Sequence, residues 1–247
     1  MEGRRMRRAA ARLAVALLGV LTAGCLAGAA MAYDAGAVSN GGTISGTVKF
    51  KGTPPAPQPL DVNKDKEVCA LTPKVSKELV VGSDGGIQWA VVSLTNISKG
   101  KAFDAAKPVL DQKGCEYLPH VTLVPVNVQL DITNDDGILH NIHTDSKKNP
   151  PVNIAQPKFK KTVNASFAQP EAIKATCDVH GWMKGWIIAM DHPYYAVTDE
   201  KGTFKLTDVP PGDYEIKVWQ EKLGESTQKV TVPAGGAATA NFELAGK

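Results

Sequence analysis

Cysteine, histidine and aromatic residues are all scarce in this chain. Its 247 residues include four Cys and five His, and only 6% are Phe, Trp or Tyr. A basic stripe is missing too. The net charge is +3, but residues 1–32 contribute five Arg against Glu2, leaving 23 basic and 24 acidic side chains in the rest. Such a balance offers no electrostatic footprint for nucleic acid, and nothing in it draws the chain to a lipid surface. Past residue 32 there is no apolar run near the roughly 20 residues that span a bilayer. No later stretch carries a helical period of apolar residues. What is plentiful points elsewhere: 23 Gly and 16 Pro suit many turns between short strands. The length has room for one or two domains.

The first 32 residues read as an export signal. A cationic start from Glu2 to Arg8 precedes the apolar run 13–21, and Ala30-Met31-Ala32 forms an A-x-A cleavage site. The doubled Arg pairs hint at twin-arginine export. Leu21-Thr22-Ala23-Gly24-Cys25 resembles a lipoprotein signal box, from which Thr22 departs. Lipidation at Cys25 is therefore the secondary reading. The expected location is periplasmic or extracellular, with no membrane span left after cleavage.

Cleavage after Ala32 leaves Cys69, Cys115 and Cys177. An oxidising compartment pairs cysteines, and an odd one calls for an explanation. Pairing Cys69 with Cys115 leaves Cys177 over. A lone buried thiol is the plain alternative, but the neighbours of Cys177 argue against it.

Between the signal and the C-terminus the pattern is strand and turn. Residues 43–50, 87–94, 120–125 and 126–133 alternate in whole or part, as half-buried strands do. Residues 139–144, 161–167, 171–176 and 185–190 read as further strands, and 61–67 as an irregular polar stretch. After Met190 the sequence turns twice, at 199–202 and 208–213, and ends in strands at 229–232 and 239–244. So many short strands predict an all-β chain built of antiparallel sandwiches or barrels.

Cys177-Asp178-Val179-His180-Gly181-Trp182-Met183 places a thiol, an imidazole and a thioether within seven residues. A thiolate and a thioether are soft donors that select copper, and imidazole suits it as well. A trigonal copper site takes two His, one Cys thiolate and a weak axial Met. The loop supplies three of the four. His140, in Asn134-Asp135-Asp136-Gly137-Ile138-Leu139-His140-Asn141-Ile142-His143, is the candidate for the fourth, arriving on another strand after the turn at Gly137. A structural zinc site commonly uses two paired Cys/His segments, and the chain has no second C-x-x-C-like pair. Asn141 is a candidate to hydrogen-bond the ligand loop and tune the sulfur. Strand alternation puts His140 and His143 on opposite faces, so His143 is expected outside the site. The role of His120, near Cys115 at the start of a strand, is left open by the sequence, with a satisfied structural His as the plain alternative, and His192 is expected to be a loop residue.

On these residues the stretch from about Cys115 to Met190 resembles the cupredoxin family of small blue copper proteins. The spacing Cys177-x2-His180-x2-Met183 is similar to the short amicyanin-type ligand loop, with Gly181-Trp182 where that loop carries Pro-Phe. The resemblance implies a Greek-key β-sandwich holding one type 1 copper. It implies His140, Cys177 and His180 as equatorial ligands, Met183 as axial ligand, and Asn141 as the brace of the Cys loop. The segments 198–204 and 209–214 resemble a carboxypeptidase regulatory-like, transthyretin-like β-sandwich. Such domains open with a strand like 43–48 and continue through one like 90–94, which here precede the copper segment. The expected organisation is a signal peptide at 1–32, N-terminal strands of the regulatory-like sandwich at 40–98, a cupredoxin-like domain at 99–191 inserted into it, and the remainder of that sandwich at 192–247.

The function these readings imply is an exported carrier of single electrons between redox protein partners, not an enzyme. Its His180 is expected near the surface, as a short path to the partner. Five His, two of them assigned, cannot build the further clusters of a copper oxidase or nitrite reductase. The competing expectations are a periplasmic copper-binding or storage module and a structural β-sandwich with no redox role.

Overall fold

The computed structural model describes residues 33–246. The expected signal segment and Cys25 lie outside them. Among the described residues the architecture is all-β, with one four-residue helix, Lys66–Cys69. No described helix is long and apolar enough to cross a membrane.

Two pairs of sheets each enclose a core. In the first pair, one sheet orders Tyr195–Val197, Val91–Leu94, Gly212–Gln220 and Gly224–Val232. Its companion places Gly42–Lys51 beside Thr203–Val209 and the C-terminal strands Ala237–Thr239 and Phe242–Ala245. Ile44, Val48, Val92, Leu94, Phe204, Ile216 and Val218 meet between them. Strands on either side of residues 109–190 thus share the same sheets. Thr43, Ser45 and Thr47 alternate with Ile44 and Val48 along the Gly42–Lys51 strand, so its apolar face turns inward by the two-residue period alone. The turn before Thr203–Val209 needs Gly202. It sits at φ +73°, and a Cβ there would lie 2.3 Å from the Val48 carbonyl oxygen.

The second pair is built from the intervening residues. One sheet runs Thr162–Ala165, Leu130–Asn134, Val109–Gln112, Tyr117–Leu118. The other runs Asn153–Gln156, His140–Asp145, Glu171–Thr176, Lys184–Met190, Val121–Pro125. Leu110, Leu130, Ile132 and Val163 from the first face Val124, Ile142, Ile173 and Ile187 from the second. Burying each such side chain contributes about 1.5–3 kcal/mol.

The two sandwiches share a third cluster. Val91 of one packs with Val121 and Ile188 of the other, rimmed by Trp89, Trp186 and Trp219. Trp186 and Trp219 meet edge to face at 4.8 Å. At its margin the buried Glu221 carboxylate takes His120 Nε2 at 2.5 Å and the Trp186 Nε1–H at 2.7 Å. The sequence left the role of His120 open; here it serves the joint between the sandwiches, which accounts for its burial.

Several strand boundaries differ from the sequence expectation for local reasons. The 87–94 strand is two, Ile87–Gln88 and Val91–Leu94, because Trp89 takes φ +65° and turns its ring onto the joint. The 126–133 strand begins only at Leu130, since Asn127 at φ +61° makes a turn. Val109–Gln112 and Asn153–Gln156 carry no alternation strong enough to announce them. They are strands because neighbours at Leu130–Asn134 and His140–Asp145 offer them backbone partners.

Candidate metal centre

His140 opens the strand His140–Asp145. Cys177 directly follows Glu171–Thr176, and Lys184–Met190 begins just past Met183. The loop between the last two is short and internally tied: Cys177 N–H donates to the Met183 carbonyl at 3.3 Å, and Met183 N–H to the His180 carbonyl at 2.9 Å. The buried Tyr117 hydroxyl lies 2.6 Å from the Asn141 carbonyl and 2.9 Å from that of Thr176. It fixes both ligand-bearing strands where the donors leave them.

His140, Cys177 and His180 are buried together, their donor atoms all within 4.8 Å of one another. His140 Nδ1 and His180 Nδ1 stand 3.0 Å apart, and Cys177 Sγ is 3.8 Å from His180 Nδ1. The remaining ring nitrogens are committed elsewhere. His140 Nε2 meets Asp136 Oδ2 at 2.8 Å, and His180 Nε2 meets Asp65 Oδ2 at 2.8 Å. A carboxylate accepts, so each Nε2 carries the proton and each Nδ1 presents a lone pair. Two lone pairs at 3.0 Å repel unless a cation or a shared proton lies between them. Metal–nitrogen bonds of about 2.0 Å and a metal–sulfur bond of about 2.3 Å let one ion reach all three donors. The donor set therefore fits a thiophilic metal, and the two carboxylates are the outer partners such ligands commonly have.

The electrostatics agree. Burial would raise the Cys177 thiol, but the His140 ring and the backbone N–H groups of Asn141, His180 and Val179 hold it below its ordinary value. Burial opposes charge on His140 as well. There the Asp136 carboxylate and the Cys177 sulfur prevail and raise it. His180 is lowered by burial, with the adjacent His140 adding to the effect over the pull of Asp65. Asp136, despite its burial, is held below the usual carboxylate range by His140 and by the N–H groups of Cys115 and Gly114. A second group of potential donors, Cys115, Asp136 and His140, is not a metal site in its own right. Cys115 is disulfide-bonded to Cys69, and the facing His140 nitrogen is taken by Asp136.

The candidate residues distribute plainly. His140, Cys177 and His180 converge. Met183 is buried in the same core as Cys177 and tied to the loop by the two backbone bonds above. Asn141 Oδ1 accepts the Asp178 N–H at 2.7 Å, and its Nδ2 donates to Asp178 Oδ2 and Asn153 Oδ1, both at 3.0 Å. It holds the residue after Cys177. His143 faces away, 44% exposed and paired with Asp178. His192 is a loop residue, as expected, in the bend between Lys184–Met190 and Tyr195–Val197; it is buried there, and its Nδ1 accepts the Tyr194 N–H at 3.1 Å. The largest correction concerns His180. It was expected near the surface and is 0% exposed. The polar stretch before Cys69 folds over it, with Asp65 against its outer nitrogen. Asp136, four residues before His140 in the Asn-Asp turn, could have been found from that spacing. Asp65 lies 115 positions from His180 and carried no signal.

Comparison with known proteins adds a family at one end of the chain. Residues 187–245 match the carboxypeptidase regulatory-like domain. A comparison with curated proteins returns no match. Among solved structures, the copper-containing nitrite reductase from Thermus scotoductus SA-01 is 18% identical with a TM-score of 0.32, over 39% of this chain and 25% of that one. The chain thus spans about a quarter of the nitrite reductase. An amicyanin variant, P52G in its reduced Cu(I) form, is 18% identical with a TM-score of 0.31, over 36% of this chain and 86% of that one. A purple cupredoxin from Nitrosopumilus maritimus is 20% identical with a TM-score of 0.29, over 34% of this chain and 99% of that one. Similarity this distant carries no argument about function.

Proposed function

We propose that the chain is an exported mononuclear copper protein of the cupredoxin type that transfers single electrons between protein partners. One observation carries the reading: a cysteine sulfur and two imidazole nitrogens converge in the buried interior, with both Nε2 atoms committed to carboxylates. In the proposal His140, Cys177 and His180 hold the metal, with Met183 as the axial group. A bound copper ion would supply a one-electron couple between Cu(I) and Cu(II).

The protein's own part is to keep the donors still. Asp136 and Asp65 fix the imidazole tautomers, and Asn141 fixes the Cys177 side of the loop. Tyr117 ties the two strands beneath. Burial excludes water, so neither imidazole has to be reoriented or re-solvated when the charge of the site changes. The regulatory-like sandwich carries no comparable donor set among the described residues, and its role in this reading is a scaffold.

A second reading has its own support. With His180 wholly buried, no ligand edge reaches solvent on that side. This favours a copper store or delivery module over a fast carrier. The first experiment is an optical spectrum of the oxidised protein with added copper(II). An intense blue thiolate band, lost in Cys177→Ser, is the expected result. A colourless protein that binds metal would refute the type 1 site. A reversible voltammetric couple then supports the carrier, and its absence with copper retained against a chelator supports the store.

A further inference from the structure

Residues 58–76 form a loop that closes on itself. Leu60 N–H donates to the Lys74 carbonyl at 2.9 Å, and Ser76 N–H to the Gln58 carbonyl at 2.8 Å. Pro59 and Val75 bridge beside them. Surface loops whose ends adjoin, like this one, pack as compact units and are frequently functional. Its underside is apolar: Leu60, Val62 and Val68 rest against the core of the metal-bearing sandwich, and Cys69 is buried within it. Lys77 reaches Glu116 at 3.1 Å.

At the tip is Asp65. It is a non-glycine residue in the left-handed region, φ 47° and ψ 45°, a conformation that Asp tolerates better than most residues and that still costs free energy. Its carbonyl accepts the Val68 and Cys69 N–H groups at 3.0 and 2.8 Å. These bonds aim its carboxylate inward, onto His180 Nε2. The Asp65 side chain is 32% exposed and the His180 side chain 0%, so Asp65 stands on the solvent side of the ring's Nε2, with the Trp182 ring 5.1 Å away. Four residues on, Cys69 is bonded to Cys115. The Cys115 N–H in turn donates at 2.7 Å to Asp136 Oδ2, the atom that holds His140. One disulfide therefore joins the two carboxylate arms that fix the two imidazoles.

We propose that residues 58–76 are a tethered lid over the His180 edge of the donor set. Asp65 is the positioning residue that latches it, and the Cys69–Cys115 bond limits how far it opens. The lid governs how fast metal enters and leaves and how near a partner approaches His180. The proposal rests on the metal-site reading above.

The test uses the full chain loaded with cobalt(II), whose thiolate absorption follows occupancy without a redox step. Release into excess chelator is timed for the unaltered protein, for Asp65→Asn, and for Cys69→Ala combined with Cys115→Ala. Asp65→Asn is expected to release metal at least tenfold faster, and the cysteine pair faster as well. Nitrogen-15 histidine spectra of the same samples provide a signature that general loosening would not give. In Asp65→Asn the His180 Nε2–H is expected to exchange rapidly with water, while the His140 Nε2–H, held by Asp136, stays protected. Equal release rates with a protected His180 proton in Asp65→Asn would overturn the lid and leave the metal site standing. An unaltered chain that takes up no metal would overturn the site reading beneath it.

Discussion

The two sandwiches are alike in size of core and differ in how many polar groups they bury around it. Between its sheets the sandwich that holds residues 195–245 encloses mostly Ile, Val, Leu and Phe, and it buries only a few polar residues, among them Ser93, Thr198 and Gln220. Around its core, the sandwich with the candidate metal centre encloses Gln112, Asn134, His140, Asn141, Thr144, Asn149, Gln156 and His180, all buried polar residues. Each such group costs stability unless it is partnered. Here nearly every one is, as when Asn134 Nδ2 donates to the Ile138 and Gln156 carbonyls, both at 2.9 Å. The contrast teaches where the chain spends its folding free energy. One sandwich is held by apolar area, which tolerates repacking. The other keeps a satisfied polar network beside the donors, which fixes their positions.

The sharpest way to break that comparison is to remove the same side chain from both cores. Ile142 and Ile216 are each 0% exposed, and truncation of either to Ala costs about 2–5 kcal/mol. Ile142→Ala should also weaken the metal–thiolate absorption, because Ile142 lies in the ligand-bearing strand. Ile216→Ala should destabilise the protein and leave the band alone. Chemical denaturation followed in parallel with the spectrum checks this. Equal loss of the band in both would erase the distinction.

A smaller effect is expected at the joint. Glu221→Ala removes the partner of both His120 and Trp186, at a cost of about 1–3 kcal/mol for the groups left unpaired. The two sandwiches should then unfold in separate calorimetric steps. A single unshifted transition would mean that the apolar contacts around Val91, Val121 and Ile188 couple them unaided.

The smallest is Glu78, which bridges Lys184 of the sandwich with the candidate metal centre at 3.0 Å and Lys222 of the other at 3.2 Å. Burial would raise its carboxyl, but the two ammonium groups hold it below the ordinary glutamate range. Its folded value lies below its unfolded one. The stabilisation is therefore full above the ordinary value of about 4.3 and is lost as pH falls through the lowered one. Glu78→Gln should cost at most about 1 kcal/mol at neutral pH, and the difference should vanish in acid. Melting temperatures across that range decide it; a difference that persists in acid would show that the charge is irrelevant.

Legibility in the sequence followed the range of the interactions. The all-β architecture was readable because a strand's inward and outward faces repeat every two residues, as along Gly42–Lys51. The convergence of His180 with Cys177 was readable because three donors in one short loop have few ways to diverge. His140 was readable from its place after a strand and a turn, and the opposite facing of His143 from alternation alone. The pairing of Cys69 with Cys115 followed from a count of three together with the place of Cys177 beside His180 and Met183.

What the sequence could not decide was anything set by segments distant along the chain. Asp65 sits in a polar stretch with no pattern, and only the folding of that loop across the ligand sandwich puts its carboxylate on His180 and takes the ring out of solvent. Glu221 meets His120 only because the sandwiches pack against each other. Val109–Gln112 becomes a strand only because Leu130–Asn134 offers its edge. Local periodicity and loop spacing are properties of neighbouring residues, and the sequence by itself determined the fold class and pointed to the meeting of His140, Cys177 and His180. Burial and hydrogen-bond partners depend on surfaces brought together by the whole chain, and only the tertiary structure decided how closed the site is and what holds it.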